Sequence, residues 1–221
     1  RRKQALMQQL LTGKKRLPGF SGEFLYSKAS DIFENISVRN KQGAPVLSVT
    51  QDQGIVRRDE LERKINHDAE KANTYKLVQP GDFVISLRSF QGGLECSNIL
   101  GAVSPAYHVI RPTLEIGGSF YKHYFKSVEF VGRLSIAVIG IRDGKQINFS
   151  DFSFMQIPHP SIEEQRKIGG VLDTADHELR LARIHIAHRQ RAAGRQRRGP
   201  LRRRIGIRPG RNGVRHRALG G

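Results

Sequence analysis

The first thirteen residues carry apolar side chains at helical spacing. Met7, Leu10 and Leu11 recur at steps of three and four, which puts them on one face of a helix. Gly13 follows as a glycine suited to end that helix. The pattern therefore predicts that residues 1–13 form the end of a helix, followed by a Pro/Gly connector.

A second helical pattern begins after Pro160, because proline disfavours the α conformation of the residue before it. Ser161 and Glu164 have the spacing of a capping box, so we predict a helix over residues 161–190. Apolar residues along it step by four and three, which is the pattern of a coiled-coil seam. We expect this seam to pack on another helix of this chain or its continuation. The seam consists of Ile168, Leu172, Ala175, Leu179, Ala182 and Ile186.

Between these helices lies a strand-rich body. Runs of β-branched and aromatic residues predict strands at 44–50, 82–87, 106–110, 136–141 and 149–157. Helical spacing predicts helices at 59–65 and 119–128. The second of these has Ser119 as its N-cap. Its apolar face, which we interpret as core packing, consists of Tyr121, Tyr124, Phe125 and Val128. The predicted fold class is α+β: a mixed, strand-rich domain followed by a long coiled-coil-type helix.

These patterns divide the chain into four segments. They are the helix end at 1–16, the strand-rich domain at 17–160, the helix at 161–190 and an arginine-rich tail at 191–221. The tail has no hydrophobic periodicity, so we expect it to be disordered, and its composition fits an out-of-frame translation. The start at Arg1, without Met, is typical of the middle of a longer reading frame.

Charge is distributed unevenly along the chain. The formal net charge is +18, but 12 of the 38 basic residues lie at or after Arg189, where there is no acidic residue. The remaining 188 residues have a net charge of only +6. A nucleic-acid signature drawn from total charge would therefore describe the tail and not the folded body.

Cysteine content and hydropathy narrow the cellular context. The lone Cys96 excludes an internal disulfide, and we interpret it as an unreactive thiol. No run of about 20 apolar residues is present, so we expect no membrane association and a cytoplasmic location.

Motifs for catalysis are missing. The run from Gly140 to Lys145 is one residue short of a phosphate loop and suits a turn between strands. Asp82 and Glu95 lack a Lys at the spacing that a metal-dependent nuclease needs. His185 and His188 lie three apart on a helix without a third ligand nearby. We therefore predict a non-catalytic protein without a metal site.

Five segments of the chain together form a recognisable set. They are ALMQQLLTGK at 5–14, PGDFVISLR at 80–88, QGG at 91–93, VSPAY at 103–107 and IPHPSIEEQRKI at 157–168. In this combination, over about residues 1–190, the chain resembles the specificity subunits of type I restriction–modification systems.

The resemblance implies one target-recognition domain, the end of a conserved helix before it and a conserved coiled-coil helix after it. In this family two such domains each bind half of a split DNA site. The expected partners are double-stranded DNA, methyltransferase subunits and a restriction subunit, with self-association through the helix as a further option. S-adenosylmethionine, ATP and Mg are expected on the partner subunits only, and this chain is expected to bind no cofactor.

Polar side chains on loops are the candidates for DNA contact, because Arg, Gln and Asn recognise base edges while Lys and Arg bind phosphates. For each of them an ordinary solvated loop residue is the alternative. The candidates form three loop groups and one helical pair: Arg88, Ser89 and Gln91; Gln51, Gln53, Arg57 and Arg58; Arg142, Lys145 and Asn148; and Lys122 with Lys126.

Two other functions fit parts of the pattern. The chain is alternatively a recognition segment of a fused restriction–methylation enzyme, which a methyltransferase loop upstream of Arg1 in the full reading frame would indicate. The second alternative is a nonspecific nucleic-acid-binding protein that depends on the basic tail.

Overall fold

A computed structural model describes residues 2–40, 43–61, 73–139 and 147–197. Within these ranges the helices are α1 (Arg2–Leu11), α2 (Ala29–Ile32), α3 (Ser89–Gly92), α4 (Gly118–Tyr124), α5 (Val128–Ile139), α6 (Phe149–Ser153) and α7 (Ile162–Arg197), with a 3-10 turn at Arg58–Glu60. The strands are β1 (Tyr26–Lys28), β2 (Phe33–Ile36), β3 (Leu47–Thr50), β4 (Gly54–Arg57), β5 (Lys76–Val78), β6 (Phe83–Ile85), β7 (Glu95–Cys96), β8 (Gly101–Val103), β9 (His108–Pro112) and β10 (Gln156–Pro158).

The strands form small antiparallel sheets. Four of them make the central sheet in the order β2-β9-β6-β7, and the others pair as β1 with β10, β3 with β4 and β5 with β8. Strand β9 aligns Ile110 with Phe83 on one side and with Asn35 on the other. The predicted α+β class, with a long helix after the strands, is confirmed.

An aromatic core lies between the central sheet and helices α4 to α6. Phe33, Phe83, Tyr121 and Phe125 are fully buried, and their rings meet mostly edge to face at centroid distances of 5.1 to 5.7 Å. Edge-to-face contacts of this kind add to the free energy gained from burial. The interpretation of the apolar face at 119–128 as core is confirmed for its three aromatic residues. Its fourth member, Val128, is 67% exposed.

The predicted helix caps are largely present. Gly13 follows α1 with a φ of 70° and donates its N–H to the Leu10 carbonyl. At the start of α7 the Ser161 hydroxyl accepts the Glu164 N–H at 3.3 Å. The Glu164 carboxylate instead accepts two hydrogen bonds from Arg16, at 2.6 and 2.7 Å. This buried carboxylate therefore ties the connector after α1 to the first turn of α7.

Two predicted strands are helices in the structure. The strand predicted at 136–141 is wrong up to residue 139, because α5 continues through it; the rest lies outside the described residues. Phe130 and Leu134 are fully buried, whereas Gly132, midway between them, is exposed. A strand would put all three residues on one face, so this burial pattern is helical. The strand predicted at 149–157 is α6 at its start and β10 only at its end.

The two helices predicted within the strand-rich body differ from expectation in the described residues. The helix predicted at 119–128 ends at Tyr124, and a turn at 125–127 separates it from α5. Its N-cap is Gly117, and the Ser119 hydroxyl donates to Asp173 of α7 instead. The helix predicted at 59–65 begins as the 3-10 turn Arg58–Glu60, and most of it lies outside the described residues.

The coiled-coil seam divides into two parts. Ile168 and Leu172 are fully buried in the same core cluster as Met7 and Leu10, so this chain itself covers them. Leu179 is 41% exposed and Ile186 is 56% exposed. Ala175 is half-buried and Ala182 is exposed. Only the second part of the predicted seam is therefore open to a partner helix.

Backbone contacts group the chain into two compact units, residues 1–177 and residues 178–221. Both clefts described below lie in the first unit. Among the helices of the described residues, each is too short or too polar to cross a lipid bilayer.

Candidate nucleic-acid interface

The β3–β4 hairpin ends in an exposed polar tip formed by Gln51, Asp52 and Gln53. The Thr50 hydroxyl accepts the Gln53 N–H at 3.1 Å and donates to the Gly54 carbonyl at 2.9 Å. Gly54 has a φ of 74°, the left-handed conformation that closes three-residue hairpin loops. The tip is therefore a short, internally hydrogen-bonded turn that projects three hydrogen-bonding side chains.

A second polar loop follows strand β6. Arg88 and Gln91 are exposed on it, as expected for side chains available to a partner. Ser89 is only 1% exposed, and its hydroxyl oxygen accepts the Ser86 N–H at 2.9 Å. Because burial and this bond occupy Ser89, we assign it to the support of the loop and remove it from the candidates for DNA contact.

Gly93 anchors this loop to the turn between α4 and α5. Its φ is 77°, and a Cβ atom added there would lie 1.8 Å from the Phe125 carbonyl oxygen. The neighbouring Leu94 N–H donates to that same carbonyl. Only glycine fits this close backbone approach. The contact fixes the position of the loop that bears Arg88 and Gln91 relative to the core.

The hairpin tip contacts the polar loop after β6, which includes α3. A Cβ atom added at Gly92 would lie 3.2 Å from Cγ of Gln51, so the Gln51 side chain lies against this glycine. A cleft of about 610 Å³ opens between the two loops, and its wall includes Gln51, Arg88 and Tyr107. Two groups of residues that are far apart in the sequence thus share one surface.

A second cleft lies on the other side of the hairpin tip. Its volume is about 380 Å³, and its lining includes Gln51, Gln53, Asn98 and Lys122. Lys122 is exposed and forms no ion pair with another described residue. The hairpin tip therefore separates two polar clefts, one bordered by Arg88 and the other by Lys122.

Lys126 lines the second cleft but is already paired. Its ammonium group contacts the carboxylate of Glu95, which has only 10% of its side chain exposed. Burial raises the pKa of Glu95, and the hydrogen bond from Lys126 opposes that rise. Lys126 therefore compensates a buried charge, and we do not retain it as a free phosphate ligand.

Cys96 is next to this pair and has the properties of an unreactive thiol. Burial raises its pKa to about 11, with a smaller opposing effect from Lys122. A thiol in this environment is protonated at neutral pH and is a poor nucleophile.

The remaining candidates do not join the clefts. Arg57 binds Asp59 through two hydrogen bonds at 3.1 and 2.7 Å, and Arg58 bonds Ser48 and stacks on the Tyr75 ring. Both lie at the end of the hairpin away from its tip.

Asn148 begins helix α6, where its N–H donates to the Asp151 carboxylate at 3.2 Å in a capping box. It lines neither cleft. The predicted contacts Arg142 and Lys145 lie outside the described residues.

The acidic residues that sequence reasoning weighed for nuclease chemistry are both paired. Asp82 is 2% exposed and accepts hydrogen bonds from Arg111 at 2.7 and 2.8 Å, while Glu95 is held by Lys126. Within the described ranges, no group of three His, Cys, Asp or Glu side chains is arranged to hold a metal ion.

Sequence reasoning missed several residues that line the clefts, among them Asp52, Asn98 and Tyr107. Asp52 had a visible signal, because it lies between two glutamines in a polar turn. Asn98 and Tyr107 had none, since only the pairing of β6 with β7 and β9 brings their loops to this surface.

Solved structures share this fold. The HsdS subunit from Thermoanaerobacter tengcongensis has a TM-score of 0.51 at 20% identity, over 83% of this chain and 45% of that one. A chain from a study of complex assembly and conformational transition of the type I restriction–modification system has a TM-score of 0.56 at 19% identity, over 88% and 49%. The type I S subunit from M. genitalium has a TM-score of 0.53 at 12% identity, over 84% and 49%.

No protein-family model and no curated protein matches the sequence. The chain spans about half the length of the solved structures that it matches. At these identities the likeness concerns the fold. The chain therefore has, over about 85% of its length, the fold of one half of a type I restriction–modification specificity subunit.

Proposed function

We propose that this chain is a DNA-recognition module that directs a type I restriction–modification complex to one half of a bipartite site. The observation that carries the proposal is the pair of clefts around the hairpin tip, on a fold shared with specificity subunits. Arg88, Gln51 and Gln53, whose side chains form no hydrogen bond or ion pair within the described residues, supply the groups that recognise guanine and adenine in the major groove.

The geometry of the hairpin suits that groove. A two-stranded ribbon is narrow enough to enter the major groove of B-DNA, which is about 12 Å wide. Arg88 borders one cleft, and Lys122 borders the other, where it is available to a phosphate beside the tip. The chain itself performs no catalysis in this proposal, and it acts in the cytoplasm.

Catalysis in this proposal belongs to partner subunits. Methyltransferase subunits bind S-adenosylmethionine, and a restriction subunit uses ATP and Mg. The surface proposed for them is the exposed part of the seam on α7, at Leu179, Ala182 and Ile186. Self-association through the same residues is the alternative use of this surface.

Assembly can be tested at one seam position. We expect Leu179→Asp to weaken association with the methyltransferase subunits without lowering the free energy of unfolding, because Leu179 is 41% exposed. Leu172→Asp is the matched comparison and should unfold the domain, because Leu172 is fully buried. Normal assembly of Leu179→Asp in size-exclusion chromatography would refute the seam.

The proposed function is tested by mapping methylated motifs. The full chain would be co-expressed with the methyltransferase subunits of its source, and modified bases would be mapped by sequencing. We expect a bipartite motif whose one half depends on this chain and changes when its strand-rich domain is exchanged. An unchanged motif after exchange would exclude sequence recognition by this chain.

The basic tail favours one rival function, nonspecific binding to nucleic acid. Deleting residues 191–221 separates the two. A specific reader keeps its site preference and loses only a salt-sensitive part of its affinity. A nonspecific binder loses nearly all affinity on that deletion and has no site preference to keep.

A further inference from the structure

Asp52 stands out among the acidic side chains around the clefts. Glu95 is paired with Lys126, whereas Asp52 makes no hydrogen bond or ion pair with another described residue. It lies at the centre of the exposed hairpin tip and lines both clefts. If this surface binds DNA as proposed, a carboxylate at the hairpin tip needs a specific partner there, because phosphates would repel it.

The tip holds Asp52 in a defined position. The Thr50 hydroxyl closes the turn on both sides, and Gln51 packs against Gly92 of the neighbouring loop. A Cβ atom added at Gly54 would lie 3.6 Å from the Glu95 carboxylate, so the base of the tip also rests on β7. A turn supported in this way can discriminate between bases, because its backbone has little freedom left to lose on binding.

The hydrogen-bonding groups in the major groove limit which base can bind the Asp52 carboxylate. Guanine presents two acceptors there and thymine one acceptor beside its methyl group, and a carboxylate has no proton to donate to them. Adenine presents an amino group next to the N7 acceptor, which repels a carboxylate. Cytosine presents its N4 amino group with no acceptor beside it on that base.

We propose that Asp52 accepts a hydrogen bond from the N4 amino group of a cytosine, and that it sets one position of the recognised half-site. The inference rests on the proposed function and adds to it the chemical class of one base. Gln51 and Gln53 flank Asp52 and contact the adjoining base pairs.

The test is a selection of duplexes by the full chain from a double-stranded library with a randomised segment, at physiological ionic strength. The parent chain is expected to enrich a motif that contains an invariant cytosine. Asp52→Asn is expected to change that one position from cytosine to adenine, because an amide matches N6 and N7 of adenine. Asp52→Ala should relax the position, with a loss of discrimination on the order of tenfold.

Asp31→Asn is the matched control. Asp31 is exposed on α2 and lines neither cleft, so this variant removes the same charge without touching the tip. Its motif is expected to equal that of the parent.

The following outcomes would contradict either the proposed function or the role of Asp52. A parent chain that enriches no motif contradicts the proposed function itself. A parent motif that Asp52→Asn leaves unchanged, or loses at every position, overturns the role of Asp52 alone. A change at that position that also appears in Asp31→Asn would reduce the effect to net charge.

Discussion

The two ends of the β3–β4 hairpin carry similar polar residues in opposite states. At the base, Arg57 and Arg58 are held by Asp59, Ser48 and the Tyr75 ring. At the tip, the side chains of Gln51, Asp52 and Gln53 make no hydrogen bond or ion pair with a described residue. The comparison teaches that residue type alone does not identify a DNA contact. A polar side chain is available to DNA only when the fold has not already given it a partner.

The same contrast extends across the domain. Arg111 and Lys126 neutralise the nearly buried carboxylates of Asp82 and Glu95. Arg88 and Lys122, by contrast, form no ion pair with another described residue. We call the first pair the structural cations and the second pair the free cations. Removing a structural cation should cost stability, and removing a free cation should cost recognition.

The largest effect is expected for Arg111→Ala. The variant leaves the Asp82 carboxylate, with 3% of its side chain exposed, without its cation, so the free energy of unfolding should fall by roughly 3–5 kcal/mol. Chemical denaturation at neutral pH measures it. A loss as small as that of a surface pair would show that Asp82 does not depend on Arg111.

Lys126→Ala should have an intermediate and pH-dependent effect. It removes the partner of Glu95, with an expected cost of about 1–3 kcal/mol at neutral pH. Burial already raises the pKa of Glu95 above its ordinary value of 4.5, and loss of Lys126 raises that pKa further. Because the folded state then favours the protonated acid, the deficit should grow as the pH rises from about 4.5 and shrink at lower pH.

Denaturation curves of the parent and Lys126→Ala proteins across this pH range measure the difference in the free energy of unfolding. A deficit that is constant with pH would show that Lys126 acts through packing of its alkyl chain and not through its charge.

Arg88→Ala should leave stability unchanged and weaken discrimination between sites by roughly 1–3 kcal/mol. Its side chain is exposed and makes no hydrogen bond or ion pair with another residue that the structure describes. Binding of the parent and variant chains to matched and single-mismatch duplexes provides the measurement. Lys122→Ala is the control, because loss of a phosphate contact should weaken all duplexes alike and reduce the dependence on salt.

Arg57→Ala should have the smallest effect. Its guanidinium and the Asp59 carboxylate are 46% and 64% exposed, so their pair contributes below about 1 kcal/mol to stability. Site discrimination should also stay at the parental level, since Arg57 lines neither cleft. A loss of discrimination as large as that of Arg88→Ala would move the DNA surface to the base of the hairpin.

Hydrophobic periodicity predicted the parts of the fold whose conformation depends on neighbouring residues in the sequence. The caps at Gly13 and Ser161 and the α+β class could be predicted because local backbone hydrogen bonding determines them. The segment at 136–139 could not, because a short apolar run is compatible with either strand or helix, and burial of Phe130 and Leu134 selected the helix.

The candidate site was predicted less completely than the fold. Arg88, Gln91, Gln51 and Gln53 are exposed as expected, and they await the binding test. Ser89 and Lys126 had the same polar appearance in the sequence but are occupied by the fold. Local sequence gives no sign of the Lys126 pair, because Glu95 lies 31 residues away along the chain. The burial of Ser89 depends on how its loop packs on the core.

The sequence by itself determined the order of the elements, the mixed class and the long final helix, since hydrophobic spacing and caps act over a few neighbouring residues. Only the tertiary structure decided which part of the seam is buried and which polar side chains remain unpaired. The physical reason is that burial and ion pairing depend on residues brought together by sheet pairing and helix packing, whose separation along the chain carries no periodic signal.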